Sequence, residues 1–259
     1  MKKYALILTL FSLLYSCNAK ELNNENIVNT NSSYMAFEDI SSEFDKNTPK
    51  QNEFDPLSGY NRAMTSFNDG FYLHVSKPVV STYKEVVHPN IRTGISNFFT
   101  NLGFPIRFLN NLLQFKFQNS WEELQLFVLN TTFGVAGLID VAKQNNFDIK
   151  HHDEDFGQTL ATWGVGEGFH IVLPFLGPSN LRDTFAFFVD DYVNPLRKGD
   201  TSYYLADSQE ESLGLRTFKI MNNSSFTLDV YEKVRKDAID LYPYLKDLHR
   251  QQRERQIKE

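Results

Sequence analysis

The chain has 259 residues, a single cysteine, and 26 Lys and Arg against 32 Asp and Glu, for a net charge of −6. That acidic balance supplies no basic face for the phosphates of a nucleic acid, and one cysteine leaves no internal disulfide framework. With 23 Phe against two Trp, the apolar surface is large and ring-rich, suited either to an ordinary core or to a surface that meets acyl chains.

Lys2 and Lys3 precede an apolar stretch, Tyr4 to Leu14, broken only by Thr9 and Ser12. It is too short for a permanent bilayer-spanning helix and reads as a secretory signal over residues 1–16. Leu14-Tyr15-Ser16-Cys17 resembles the lipobox of bacterial lipoproteins, which makes Cys17 the acylated first residue of the mature chain. Several acyl chains at one point, at about 0.8 kcal/mol per buried methylene, anchor stably where a single chain does not. Asn18 after the cysteine favours the outer membrane by resemblance to enterobacterial sorting. Residues 17–53 carry no periodic apolar face and read as a flexible, lipidated tether.

A folded region is expected over residues 54–248. Asp55-Pro56 predicts a helix start with Asp55 as cap, followed by an apolar stripe at Tyr60, Met64, Phe67 and Phe71. Lys77-Pro78 restarts the chain, and a second helix through Tyr83 and Val87 stops before His88-Pro89. Ile91 to Phe117 is the most hydrophobic stretch of the mature protein. Arg92, Asn97, Asn101, Arg107, Asn110, Asn111 and Gln114 interrupt it, and Gly103 and Pro105 break its middle, so it forms two helices and no transmembrane span. Such helices are either buried within a bundle or lie partly in lipid, and the candidate lipid-contacting residues are Phe98, Phe99, Phe104, Phe108, Leu109 and Leu112.

A further helix carries Trp121, Leu124, Phe127, Val128 and Thr131, with Glu122 and Glu123 placed in its first turn. A turn at Gly134 and Gly137 leads to a short helix from Leu138 to Ala142. Asn145 to Asp155 is polar, and the segment from Phe156 to Pro178 has too many glycines and prolines for a long helix. Its apolar content needs core or membrane to cover it. Ser179 or Asn180 caps the next helix, whose face is Leu181, Phe185, Phe188, Val189 and Tyr192. After a polar link at 197–208, helix is expected from Ser224, kinked or restarted at Pro243, with residues 249–259 a charged tail.

No catalytic or metal centre is legible. His151-His152-Asp153-Glu154-Asp155 holds ligand residue types without ligand spacing and reads as a polar turn. Gly164, Gly166 and Gly168 lack the spacing of a phosphate loop, and no GxSxG elbow is present. Asp190 and Asp191 point about 100° apart on a helix and suit solvated or capping roles. No cofactor is implied.

Long ordered blocks carry a resemblance to a known family. They are Asp55-Pro56-Leu57 through Met64 with Phe67-Asn68; Lys77-Pro78-Val79; Arg92 through Leu102; and Asn110-Asn111-Leu112-Leu113-Gln114. They continue through Asn130 to Ala142, His152 to Leu160, Trp163 to Gly166, Leu173 to Ser179 and Leu181-Arg182-Asp183. Together they resemble the MlaA (VacJ) lipoproteins of Gram-negative bacteria. The resemblance implies an all-α, ring-like helical bundle with broad apolar faces lying in the outer membrane, exposed to the periplasm and enclosing an amphipathic channel. Through it phospholipids leave the outer leaflet for a soluble periplasmic carrier, which preserves lipid asymmetry. It implies a trimeric porin as partner and no enzyme activity. A structural envelope lipoprotein, or a lipid-modifying enzyme, is the alternative reading. The match is looser around Asp240-Leu241-Tyr242-Pro243-Tyr244.

Overall fold

The computed structural model describes residues 55–259; the signal segment, Cys17 and the tether lie outside the described residues. Helix α1 (Ser58–Phe71) runs through a π-helical segment (Tyr72–Ser76) into α2 (Lys77–Val86). Pro78 in the first turn of α2 has no N–H to give, and the wide turn just before it takes up the change in register. The helix therefore passes Lys77-Pro78 without the restart read from the sequence. Asp55 does not cap α1: Leu57 holds that position without a side-chain cap. Asp55 instead accepts the Tyr242 hydroxyl proton and pairs with Lys246 at 3.2 Å.

Helices α3 (Pro89–Leu102) and α4 (Phe104–Leu113) meet at Gly103, with Pro105 in the first turn of α4. The hairpin partner of α4 is α5 (Phe117–Thr132), whose turn passes through Phe115 at φ 62°. Glu122 and Glu123 lie beyond the first turn of α5, so neither serves its N-terminal dipole as expected. After α5 the backbone turns left-handed at Val135, Ala136 and Gly137, at φ 52°, 58° and 92°. A Cβ on Gly137 would lie 2.5 Å from the Asn101 side chain, so that close approach requires glycine.

Short helices α6 (Val141–Gln144) and α7 (Phe156–Thr162) follow. Asp155 caps α7 in a reciprocal capping box with Gln158. Strands β1 (His170–Leu173) and β2 (Gly177–Asn180) form an antiparallel hairpin, pairing His170 with Asn180 and Leu173 with Gly177. Asn61 and Asn68, two turns apart on α1, hydrogen-bond the free edge of β1. Asn61 donates to the His170 carbonyl and accepts from the Val172 N–H, and Asn68 donates to the Leu173 carbonyl. The expected Asn180 cap opens α8 (Leu181–Tyr192). Helix α9 (Gln209–Asp237) begins earlier than Ser224, and α10 (Leu241–Lys258) restarts with Pro243 in its first turn. Residues 249–258, expected to be a charged tail, are the second half of α10.

The apolar cores are small. Ile95, Phe99 and Leu196 form one with Phe98, Leu215 and Phe218 packed around it, and Val234 and Leu248 join α9 to α10 in another. Among the described residues, buried polar side chains outnumber buried hydrophobic ones. No helix of the described residues is long and apolar enough to cross a membrane.

Candidate functional site: an inverted helix layer

Helix α4 is amphipathic with its faces reversed. Arg107, Asn110, Asn111 and Gln114 recur at i, i+3, i+4 and i+7, which places them on one stripe, and all four are buried. Leu109 and Leu113 on the other side are exposed. In water the apolar stripe of a helix faces the core.

Apart from Asn111 Oδ1, which has no hydrogen-bond partner among the described residues, the inward polar stripe is satisfied by its neighbours, as buried polar groups require. Arg107 Nε donates to Glu123 on α5 at 2.9 Å and its Nη1 to the Thr100 carbonyl at 2.9 Å. Glu123 is fully buried and also accepts the His152 backbone N–H at 2.6 Å. Burial pushes its carboxyl up, but His151 and the Arg107 guanidinium outweigh that and hold it below the usual range. Asn111 donates to the His152 carbonyl at 3.2 Å, and Gln114 and Lys116 both donate to Glu154, at 2.7 and 2.6 Å. The 151–155 run is thus a backbone-and-carboxylate plug on α4 and α5, with more to do than a polar turn. Its His152 ring meets Glu122 at 2.9 Å.

The network continues into α7 and α8. The Thr159 hydroxyl donates to Asn110, whose amide donates to Asp190 at 2.9 Å, and Asp190 also accepts the Phe156 N–H. Burial raises the Asp190 carboxyl to about 6, the two donors only partly offsetting it. Asp190 is therefore an inward acceptor rather than the solvated or capping group expected from the sequence. Arg253 on α10 closes the network, bridging Asp155 at 2.7 Å and Asp183 at 2.8 Å.

The outward faces are apolar. On α8, Leu181, Phe185, Phe188 and Tyr192 recur at i, i+4, i+7 and i+11 and are 57%, 61%, 69% and 68% exposed, while Arg182 and Ala186 are buried. Phe117 and Trp121 on α5, with Phe115, Phe133 and Phe175 in turns, are also exposed. Leaving such side chains in water forgoes about 1.5–3 kcal/mol each, and contiguous apolar surface of this kind marks an interaction face.

Of the six residues singled out for lipid contact, Leu109 is exposed and Phe98, Phe104, Phe108 and Leu112 are half-buried. Phe104 stacks on Phe127, with ring centroids 4.4 Å apart. Phe99 is 3% exposed and belongs to the core with Ile95 and Leu196, which removes it from the lipid-contact set. The exposed α8 stripe and the exposed Phe115, Phe133 and Phe175 in turns are not among those six. The i, i+4, i+7, i+11 spacing of α8 is visible in the sequence as one apolar face, but the spacing does not say whether that face turns inward or outward.

Residues 53–256 match the family described as MlaA lipoprotein. The chain belongs to the MlaA family. An uncharacterized protein of Rickettsia bellii (strain RML369-C) is 30% identical over 205 residues, 79% of this chain and 77% of the relative. The intermembrane phospholipid transport system lipoprotein MlaA of Escherichia coli (strain K12) is 35% identical over 147 residues, 56% of this chain and 59% of that protein. A solved structure described as the structural basis for maintenance of bacterial outer membrane lipid asymmetry superimposes with a TM-score of 0.68 at 29% identity. It covers 79% of this chain and 100% of the other. The MlaA match takes in the inverted α4 and α8 and reaches into α10, and the fold is all-α apart from the small hairpin.

Proposed function

We propose that this chain is an outer-membrane lipoprotein that removes mislocalised phospholipids from the outer leaflet through an amphipathic conduit and maintains lipid asymmetry. The observation that carries this is the reversed polarity of α4 and α8: polar, hydrogen-bonded groups inside and large apolar side chains outside. Such a layer is stable where the surroundings are acyl chains, and its polar interior can meet head groups. The name of the Escherichia coli relative and the subject of the matching structure support the same reading. Acylation at Cys17 holds the chain on the membrane, a soluble periplasmic carrier receives the lipid, and a trimeric porin is the partner in the bilayer. The polar residues of the interior act as structural donors and acceptors, and lipid moves without covalent chemistry.

The test is to delete the gene and label intact cells with a membrane-impermeant amine reagent that reports outer-leaflet phosphatidylethanolamine. Labelling should rise and fall back on complementation with the wild type, but not with Cys17→Ala. Labelling unchanged by the deletion would overturn the reading.

A further inference from the structure

A small cavity of about 30 Å³ opens where the β1–β2 hairpin meets α10. That is about twice the space one enclosed water needs. Its walls are Glu167 just before β1, His170 of β1, Asn180 of β2, and Lys246, His249 and Arg250 of α10, with no apolar side chain among them. His170 Nε2 is buried and has no hydrogen-bond partner among the described residues. Its ring lies 6.1 Å from that of His249 and 6.0 Å from that of Tyr242.

A buried ring nitrogen needs a partner, an acceptor if it carries the proton and a donor if it does not. Lys246 and Arg250 stand in the same wall but send donors elsewhere, Lys246 to Asp55 at 3.2 Å and Arg250 to Asp247 at 3.3 Å. One such pair does not exhaust either cation, since an ammonium carries three donors and a guanidinium five. Asn180 is occupied, its amide donating to Asp183 at 2.8 Å and its side-chain oxygen accepting the Asp183 N–H at 2.8 Å. Glu167, the carboxylate of the wall, is exposed and can turn to water. What answers the ring nitrogen and both cations together is a group that carries negative charge and accepts from several directions. A water is neutral, whereas a tetrahedral oxyanion presents oxygens to each donor. An all-polar wall offers hydrocarbon no surface, so the ion is a free one and not a lipid head group.

We propose that this cavity binds a small free oxyanion of the phosphate class, which joins the β1–β2 hairpin to α10. The His170 Nε2–H, the Lys246 ammonium and the Arg250 guanidinium donate to it, and the ring of His249 closes one side. The bound ion ties β1 to a helix that otherwise reaches this hairpin through side chains alone.

The test uses the full chain in detergent. Inorganic phosphate is titrated, with chloride at equal ionic strength as the control, while the imidazole signals of His170 and His249 are followed by NMR and affinities are measured by calorimetry. Both signals should shift saturably with phosphate and stay in place with chloride. His170→Phe, which keeps a ring and removes the nitrogens, and Arg250→Gln should each weaken phosphate binding about tenfold, the size of a charge-assisted contact. Lys258→Gln, which takes a charge from the same helix outside the cavity, should bind like wild type. A ligand of the folded chain raises its Tm, so phosphate should raise the Tm of wild type and of Lys258→Gln more than that of Arg250→Gln. Histidine signals that move no more with phosphate than with chloride, or affinity equal in wild type, His170→Phe and Arg250→Gln, would overturn the site. A loss in Lys258→Gln as large as in Arg250→Gln would replace it with a diffuse field of the helix. Short-chain phosphatidic acid bound more tightly than phosphate, with that gain lost in Arg250→Gln, would overturn the assignment to a free ion.

Discussion

At the scale of single residues, the fold changes the titration of His170 and His249 in the acid range. Both lie at the junction of β1 and α10, their rings 6.1 Å apart, and His170 Nε2 is buried without a hydrogen-bond partner among the described residues. Burial, then neighbouring cationic and histidine groups, lower both from the usual 6.5 to about 4. The folded state therefore binds fewer protons than the unfolded chain between about pH 6.5 and 4, so stability is full above pH 6.5 and is lost as pH falls through that window. Each histidine adds a slope of up to about 1.4 kcal/mol per pH unit. Asp190, raised to about 6, works in the opposite sense and favours the folded state toward lower pH. In thermal unfolding across pH 7 to 4, His170→Gln should flatten the loss of stability, and a variant whose melting profile parallels the wild type would contradict this assignment.

Secondary-structure elements show how charge does structural work that a sequence reading places in a tail. The second half of α10 is a clasp: Arg253 joins the cap of α7 through Asp155 and the first turn of α8 through Asp183, with its own side chain 12% exposed. Breaking a buried pair by removing one partner costs about 3–5 kcal/mol because the other charge is left behind, and the partial exposure of Asp155 places this case at the low end. Arg253→Met should therefore lower stability by about 3 kcal/mol, and deletion of residues 249–259 should do at least as much. Denaturant unfolding in detergent checks both; a deletion variant as stable as wild type would mean that the segment is a tail after all. The signal for the clasp was weak in the sequence, because Arg253 stands in a run of charges with no feature to mark it. Asp155-x-x-Gln158, by contrast, was a readable capping box that went unused.

On the scale of the whole molecule, the reversed layer makes a sharper demand than any one contact. Phe185 and Phe188 project from α8 at 61% and 69% exposure. Charges introduced there should be tolerated by the fold in detergent yet opposed by acyl chains, at about 2.5–3.5 kcal/mol each near the middle of a membrane. The double variant Phe185→Asp/Phe188→Asp should keep the melting temperature of the wild type in detergent, release the chain from membranes washed at high pH, and raise outer-leaflet phospholipid labelling. Retention and labelling equal to wild type would show that this face does not meet lipid.

Much of this protein was already present in its sequence. The break at Gly103 and Pro105, the Asn180 cap, the restart at Pro243 and the residue blocks of the MlaA family are local features, legible because turn chemistry and capping act over a few residues. The stripe Arg107, Asn110, Asn111, Gln114 was equally visible, but its direction was not. A helix in water and an inverted helix in lipid have the same 3.6-residue period, and only the packing of α4 against α5, α7 and the 151–155 segment decides which face turns inward. The same holds for Glu123, Asp190 and Arg253. Each is an ordinary charged residue along the chain and becomes an inward acceptor or donor through partners 16, 80 and 98 positions away, a separation that no local pattern encodes.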